Sequence, residues 1–556
     1  MFTYIHGYHP ACWRGLVQRG LIDDTSGVKL AQCCFHAAAD CFNAVAAPGG
    51  ELHGIVKEAN RAFYVDRLQG GVFFHGYTFD KRLVALYQAM LGDTFYGFQM
   101  HEWMSNISSD WSRLAEAGCI GKSAGEITRA ILEKYPYAFP FLEAHSAEEY
   151  SRLERPETPK ALVEQATALF AKRQGECDGL LLPADSYFMA PRIELALGAR
   201  RLMPEVGAQI PDTRVQFAYT RGMARAKGIP WGAYYEPWGG DPFGTCNYKR
   251  DGGNEWNLPD DGSFPFDQHG ESGGSSRSLQ ARIHRYAFMS GAGFVSEEWG
   301  LCNTFYDWED FELSPYGRVK KDFIDFTRRM PEIKPYNPVA LTLPRDLEVL
   351  EIGHSPNRYL NFPADPQTAD TLKKVWENLG AIFQNPNAGR AEGRIMQNSG
   401  FPDAFDILHA DDEAAAGKYK HAVDLTGSIA GLGETVDRLM PCRVTGNVHW
   451  LVSQTDKEWL ISIFNNNGVL RSVEKGETLD DTAGVSAEMV LKNGGELKWL
   501  DGSRQATQND GVWRVALPAG GWFIASFPKD GGQNAGGLFS HIPHFALHNA
   551  GGVAQK

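Results

Sequence analysis

Up to about residue 335, short apolar runs alternate with amphipathic stretches of helical length, the pattern of repeated βα units. The runs that read as strands are "FTYIHGY", "AFYVDRL" or "GVFFHGY", "FYGFQMHEW", "GLLLPADSY", "RLMPEVGA", "PWGAYYEPW" and "AGFVSEEW". Between them, residues 275–290 place Leu279, Ile283, Tyr286 and Ala287 on one helical face, and residues 213–227 do the same with Val215, Ala218, Tyr219 and Gly222. Seven or eight such units predict an α/β fold, a (β/α)₈ TIM barrel with long loops. One of these loops is the polar, helical stretch over residues 105–178.

The texture changes twice more. Residues 336–445 read as a small α/β, Rossmann-like domain without any phosphate-binding glycine loop. From 446 to 530, alternating runs broken by Asn, Gly and Asp predict a C-terminal β-sandwich. Residues 531–556, rich in Gly and His, read as a loose tail.

Composition narrows the classes. The 556 residues carry a net charge of −14 without a basic block, so the counterion release that drives nucleic-acid binding has no evident source. No run is long and apolar enough for a membrane span, and no signal-peptide pattern opens the chain. A cytoplasmic protein is expected, or an exported one whose signal peptide is missing from this sequence. The nine cysteines, Cys33 and Cys34 among them, form no CxxC pair and read as scattered thiols. HExxH and comparable ligand spacings are missing, so neither metal nor cofactor is expected.

The chemistry lies where apolar runs stop. In a barrel of this type the active site is built at the C-terminal ends of the strands. Glu102 closes "GFQMHEW", Glu205 "RLMPEVG", Glu236 "GAYYEPWGG", and Glu297 and Glu298 "GFVSEEWG". Trp103, Trp238 and Trp299 stand beside or near these acids. Flat rings stack on sugar C–H faces while carboxyl groups bind hydroxyls and move protons, so the mixture points to a carbohydrate substrate. Hydrolysis of a glycosidic bond needs one protonated and one ionised carboxyl. Glu205 and Glu298 rank first as catalytic residues, then Glu297 and Glu102. Glu236, Trp103, Trp238, Trp299, His101, His75 and Tyr235 are candidates for binding substrate. Each of these acids alone could be a helix-cap partner, and each tryptophan a core residue; their conjunction carries the reading. The arginines of "GARRLMP" and "RGMARAKG" read as a solvated helix face, with Arg221 worth watching.

"SEEWG" resembles the Glu-aromatic-Gly ending that retaining glycosidases of clan A carry on their nucleophile strand, which implies that role for Glu298. The order of barrel, small α/β domain and β-sandwich is similar to the β-galactosidases of glycoside hydrolase family 42, whose middle domain mediates trimer formation. That implies a homo-oligomer, built partly through residues 336–445. In the clan the acid/base glutamate follows an asparagine, whereas here Glu205 follows Pro204 and Glu102 follows His101. The resemblance implies a retaining, exo-acting glycosidase. The alternatives are a non-catalytic carbohydrate-binding barrel, or a glycosyl-transferring or phosphorolytic enzyme on the same scaffold.

Overall fold

A computed structural model describes residues 2–30, 38–69, 76–116, 126, 154–207, 210, 212–236, 276–298, 300, 303–347, 357–360, 362–384, 396–472 and 476–530. Eight parallel strands form the first sheet: β1 (Thr3–Tyr8), β2 (Gly27–Leu30), β3 (Phe63–Gln69), β4 (Phe95–His101), β5 (Leu181–Ala184), β6 (Glu205–Gly207), β7 (Gly232–Glu236) and β8 (Phe294–Glu297). Their order, β5-β4-β3-β2-β1-β8-β7-β6, brings the first strand beside the last. The β5/β6 gap is bridged where the Glu205 N–H donates to the Asp185 carbonyl at 3.0 Å, so the barrel is nearly closed.

Ten helices among the described residues belong to this part of the chain: α1 (Pro10–Gln18), α2 (Ala38–Val45), α3 (Glu51–Glu58), α4 (Lys81–Leu91), α5 (Trp103–Glu116), α6 (Pro159–Glu176), α7 (Ala190–Ala196), α8 (Thr213–Lys227), α9 (Arg277–Met289) and α10 (Pro315–Arg329). The α9 helix starts where expected because the Ser276 hydroxyl accepts from the Leu279 N–H, capping the first turn.

Strand periodicity sorts the side chains. Ile5, Tyr64, Leu182, Met203, Tyr234 and Phe294 point into the barrel and fill its floor. Their neighbours Tyr4, Val65, Leu181, Val206, Ala233 and Val295 face the helices and join the larger core. Two glycines let strands approach where a Cβ could not fit. At Gly97 (φ +91°) a Cβ would lie 2.0 Å from the Leu180 carbonyl, and at Gly207 (φ +155°) it would lie 2.0 Å from that of Glu236.

The β2 strand, "GVKL", is absent from the expected set. Lys29 interrupts its apolar run, yet that side chain is buried and paired to Asp66 at 2.7 Å. The two readings of 62–77 resolve in part: "FYVDRLQ" is one strand, and most of "GVFFHGY" lies outside the described residues.

Beyond the barrel, Val339–Leu343 lies between Phe405–His409 and His421–Asp424 in a parallel three-stranded sheet, with a helix over Pro366–Phe383. Two antiparallel sheets follow. One holds Cys442–Thr445, Val485–Leu491, Val512–Leu517 and Ala506–Asn509, and the other Lys498–Gly502, Trp522–Pro528, Glu458–Phe464, His449–Gln454 and Lys334–Pro335. The expected tail, 531–556, lies outside the described residues.

The α8 helix docks the three-stranded sheet onto the barrel. Gly222 approaches so closely that a Cβ there would sit 2.4 Å from the Ile407 carbonyl. Along the same helix Arg214 pairs with Asp403 at 2.6 Å and Arg221 with Asp406 at 2.6 Å, all four side chains buried. The solvated arginine face expected for this helix is corrected at Arg221: it is a buried docking group, held by Asp406 at Nε and the Phe405 carbonyl at Nη2.

Candidate active site

Parity decides between the two adjacent acids of β8. Phe294 and Ser296 face the barrel interior, and Glu298 continues that face, whereas Glu297 points outward. Glu297 is surrounded there by donors: the Tyr4 hydroxyl and the Gln280 amide each donate to Oε1 at 2.5 Å, and Lys320 Nζ lies 2.7 Å from Oε2. Burial opposes ionisation of Glu297, but Lys320 and His284 outweigh it and hold the carboxyl below its ordinary value. The group is an ionised strut between the barrel wall and its helices.

Glu298 meets a different partner. Arg67 Nη1 donates to its Oε1, and Arg67 Nη2 lies 2.7 Å from His101 Nε2. Sequence reasoning missed Arg67. It comes from β3, where the register against β4 shifts between Val65 and Leu68, and this irregularity lets Asp66 and Arg67 both turn inward. Asp66 takes Lys29 below, and Arg67 takes the acids above. Two charged residues inside an otherwise apolar strand were the available signal.

Glu102 follows β4 with φ +42°, a left-handed conformation that costs a non-glycine residue energy. Its N–H donates to the Ala184 carbonyl at 2.6 Å. Its Oε2 lies 3.2 Å from His101 Nε2, and about a third of the side chain, 32%, is open to solvent. Glu205 belongs to β6, which it opens rather than closes, and is fully buried. Among the described residues, no N–H or hydroxyl donor reaches either of its oxygens. Glu236 ends β7, buried and directed to the same side as Tyr234. One oxygen each of Glu205 and Glu298, with a ring nitrogen of His101, gather within 4.8 Å. A cation could fit such a donor set, but the Arg67 guanidinium already brings positive charge to Glu298 and His101.

These neighbours drive proton affinities apart. Burial first, then the charges of Glu102 and Glu298, push the Glu205 carboxyl well above the carboxylate range. Burial would raise Glu102 as well, but His101 and Arg67, together with a hydrogen bond from Glu205, prevail and hold it down. Glu205 therefore keeps a proton while Glu102 is ionised. Beneath them Asp185 accepts from the N–H groups of Met104 (2.7 Å) and Tyr187 (2.8 Å), and burial lifts its carboxyl to about 7.

Of the expected binding residues, His101 is in this cluster. Trp103 is fully buried, packs edge-on against Phe170 and donates Nε1–H to Glu194 at 2.9 Å. That correction follows from helix geometry, since the residue opening α5 turns back into the core. Tyr235 also faces outward from β7, edge-on to His284. His75, Trp238 and Trp299 lie outside the described residues.

Fold and site define a (β/α)₈ barrel whose mouth gathers carboxyl groups of split proton affinity around one arginine and one histidine. No protein-family model and no curated protein matches the chain. Among solved structures, it is similar to a GH42 β-galactosidase from G. stearothermophilus (10% identity, TM-score 0.42, covering 95% of this chain and 98% of that one). It is also similar to α-L-fucosidase isoenzyme 2 from Paenibacillus thiaminolyticus (9%, 0.39, 95% and 99%). A third is GH5_18 from Streptomyces cattleya in complex with GlcNAc (12%, 0.36, 76% and 98%). At these scores the likeness decides nothing about chemistry, which rests with the site's own residues.

Proposed function

We propose that the protein is a glycoside hydrolase, with Glu205 as the proton-donating acid and Glu298 as the nucleophile. The observation that carries this is the split of proton affinity inside one cluster: a buried acid, Glu205, kept protonated beside Glu102, kept ionised, is the poised donor that protonating a leaving oxygen requires. One oxygen each of Glu205 and Glu298 lie within 4.8 Å of one another, a close approach in keeping with retention, since the carboxyl groups of inverting pairs stand about 6.5–9.5 Å apart to admit water. With the resemblance of "SEEWG" to clan A nucleophile strands, this gives a retaining, exo-acting, β-galactosidase-like enzyme.

A second assignment on the same scaffold is favoured by Glu102, whose backbone is strained and whose side chain reaches solvent. There Glu102 takes the proton held by Glu205 and delivers it to the leaving oxygen, and Glu236 at the end of β7 is the nucleophile. The assignments separate by substitution. Glu→Gln variants at 102, 205, 236 and 298 are assayed on aryl glycosides beside binding calorimetry. Loss at 205 and 298 supports the first, and loss at 102 and 236 the second. Sugar binding without turnover by the unaltered protein, across the panel, refutes hydrolysis and leaves a carbohydrate-binding barrel.

The three-stranded parallel sheet is read as the Rossmann-like domain and the two antiparallel sheets as the β-sandwich. We keep the proposal of a homo-oligomer formed partly through residues 336–445, and a solution mass near 62 kDa by light scattering contradicts it.

A further inference from the structure

Where α8 ends against the three-stranded sheet, a cavity of about 220 Å³ opens between Arg225, the connecting segment 335–338 and residues 415–420. Its charged lining residues among those described are Arg225, Lys418 and Lys420, and none of the described lining residues is a carboxylate. The nearest acid described in contact with these groups, Asp406, is already shared. Arg221 and Arg225 both pair with it, at 2.6 and 2.5 Å, and the Tyr419 hydroxyl donates to it at 2.6 Å. One carboxylate thus serves two guanidiniums, and the two lysines add further positive charge to the cavity lining in a chain whose net charge is −14.

Two of these cations are held in place. Arg225 Nη2 donates to Asn337 Oδ1 at 3.2 Å, which sets the plane of its guanidinium. Lys420 Nζ donates to the Tyr336 hydroxyl at 2.9 Å and lies 5.3 Å from the centre of that ring. An ammonium and a guanidinium in fixed positions over a concave surface suit an oxyanion, which accepts several charge-assisted hydrogen bonds at once. The remaining wall is apolar, formed by Ala226, Pro335, Pro338 and Ala415.

We propose that this cavity binds a small phosphate dianion, the phosphomonoester of a small organic molecule, with the phosphate on Arg225, Lys418 and Lys420 and the organic part against the apolar wall. Its lining comes from the barrel helix, the connector and the turn leading into the strand His421–Asp424, so an occupied site ties the sheet to the barrel. The site is separate from the acid cluster and does not depend on the reading of that cluster.

The test uses the full chain, with inorganic phosphate and phenyl phosphate as probes at constant ionic strength. Calorimetry and thermal unfolding are recorded for the unaltered protein and for a Lys418→Gln/Lys420→Gln double variant. Saturable binding is expected, with a rise in Tm and tighter binding of phenyl phosphate than of inorganic phosphate. The double variant should unfold at nearly the Tm of the unaltered protein without phosphate and bind about tenfold more weakly or worse. No saturable response from either probe, or an equal response in the double variant, overturns the site. Equal affinity for the two probes overturns the organic part of the ligand.

Discussion

Charge is buried in two regions of this molecule on opposite terms. At the barrel mouth Glu102, Glu205 and Glu298 all feel the charge of Arg67, with Glu236 close by. At the docking face Asp403 and Asp406 meet Arg214, Arg221 and Arg225, with His449 Nε2 2.7 Å from Asp403. Among the described residues, acid is in excess in the first and base in the second. A buried carboxylate matched by donors is a fixed tie between parts of the chain, whereas one crowded by its own kind holds a proton it can give away.

Substitution at the two places should have opposite consequences. The largest effect is expected from Glu205→Gln, which removes the proton donor and should lower turnover on the responsive aryl glycoside by roughly 10²–10⁴-fold with circular dichroism unchanged. Asp403→Ala leaves Arg214 buried without its carboxylate and should cost about 3–5 kcal/mol in a denaturant titration, while turnover per folded molecule is kept. Loss of activity without loss of stability in Asp403→Ala would erase the distinction.

The pH dependences also oppose one another. Burial would raise Asp403, but Arg214 and His449 overcome it and hold the carboxyl below its ordinary value. Its stabilising contribution is therefore complete above the unfolded value of about 3.9 and fades as the pH falls below it toward the folded one. Glu205 is raised, so the folded state keeps a proton that the unfolded chain releases, and this costs stability as the pH rises above about 4.3. Glu205→Gln should be more stable than the unaltered protein at pH 7, with the advantage vanishing below about pH 4. Thermal melts of the pair between pH 3 and 8 check the sign.

A smaller effect sharpens the status of the tryptophans. Trp103→Phe removes the donor to Glu194, whose carboxyl burial has already pushed to about 8. It should cost about 1–3 kcal/mol and leave KM unchanged. A raised KM with stability intact would restore Trp103 as a sugar platform.

The barrel was legible because its strands are short apolar runs and its helices keep their period, as at α8 and α9. The missed strand β2 shows where that signal fails: a lysine reads as surface until its buried partner, Asp66, is seen one strand away. The acids at strand ends were legible as a set. Their separation into an inward Glu298 and an outward Glu297 follows from counting back to Phe294, a step open to sequence alone. Arg67 was hidden because a bulge, set by the β3/β4 register, turns it inward against simple alternation. The docking arginines were hidden for a related cause, since a helix face looks solvated until a sheet some 180 residues later covers it.

The most direct measurement is a ¹³C NMR titration of the glutamate side-chain carboxyls between pH 3 and 9, with resonances assigned through the Glu102→Gln and Glu205→Gln variants. The resonance of Glu205 should titrate well above the ordinary glutamate range while that of Glu102 is already ionised at pH 4. If both titrate together near the ordinary glutamate value of about 4.3, the cluster holds no poised acid and the catalytic reading of the barrel mouth is contradicted.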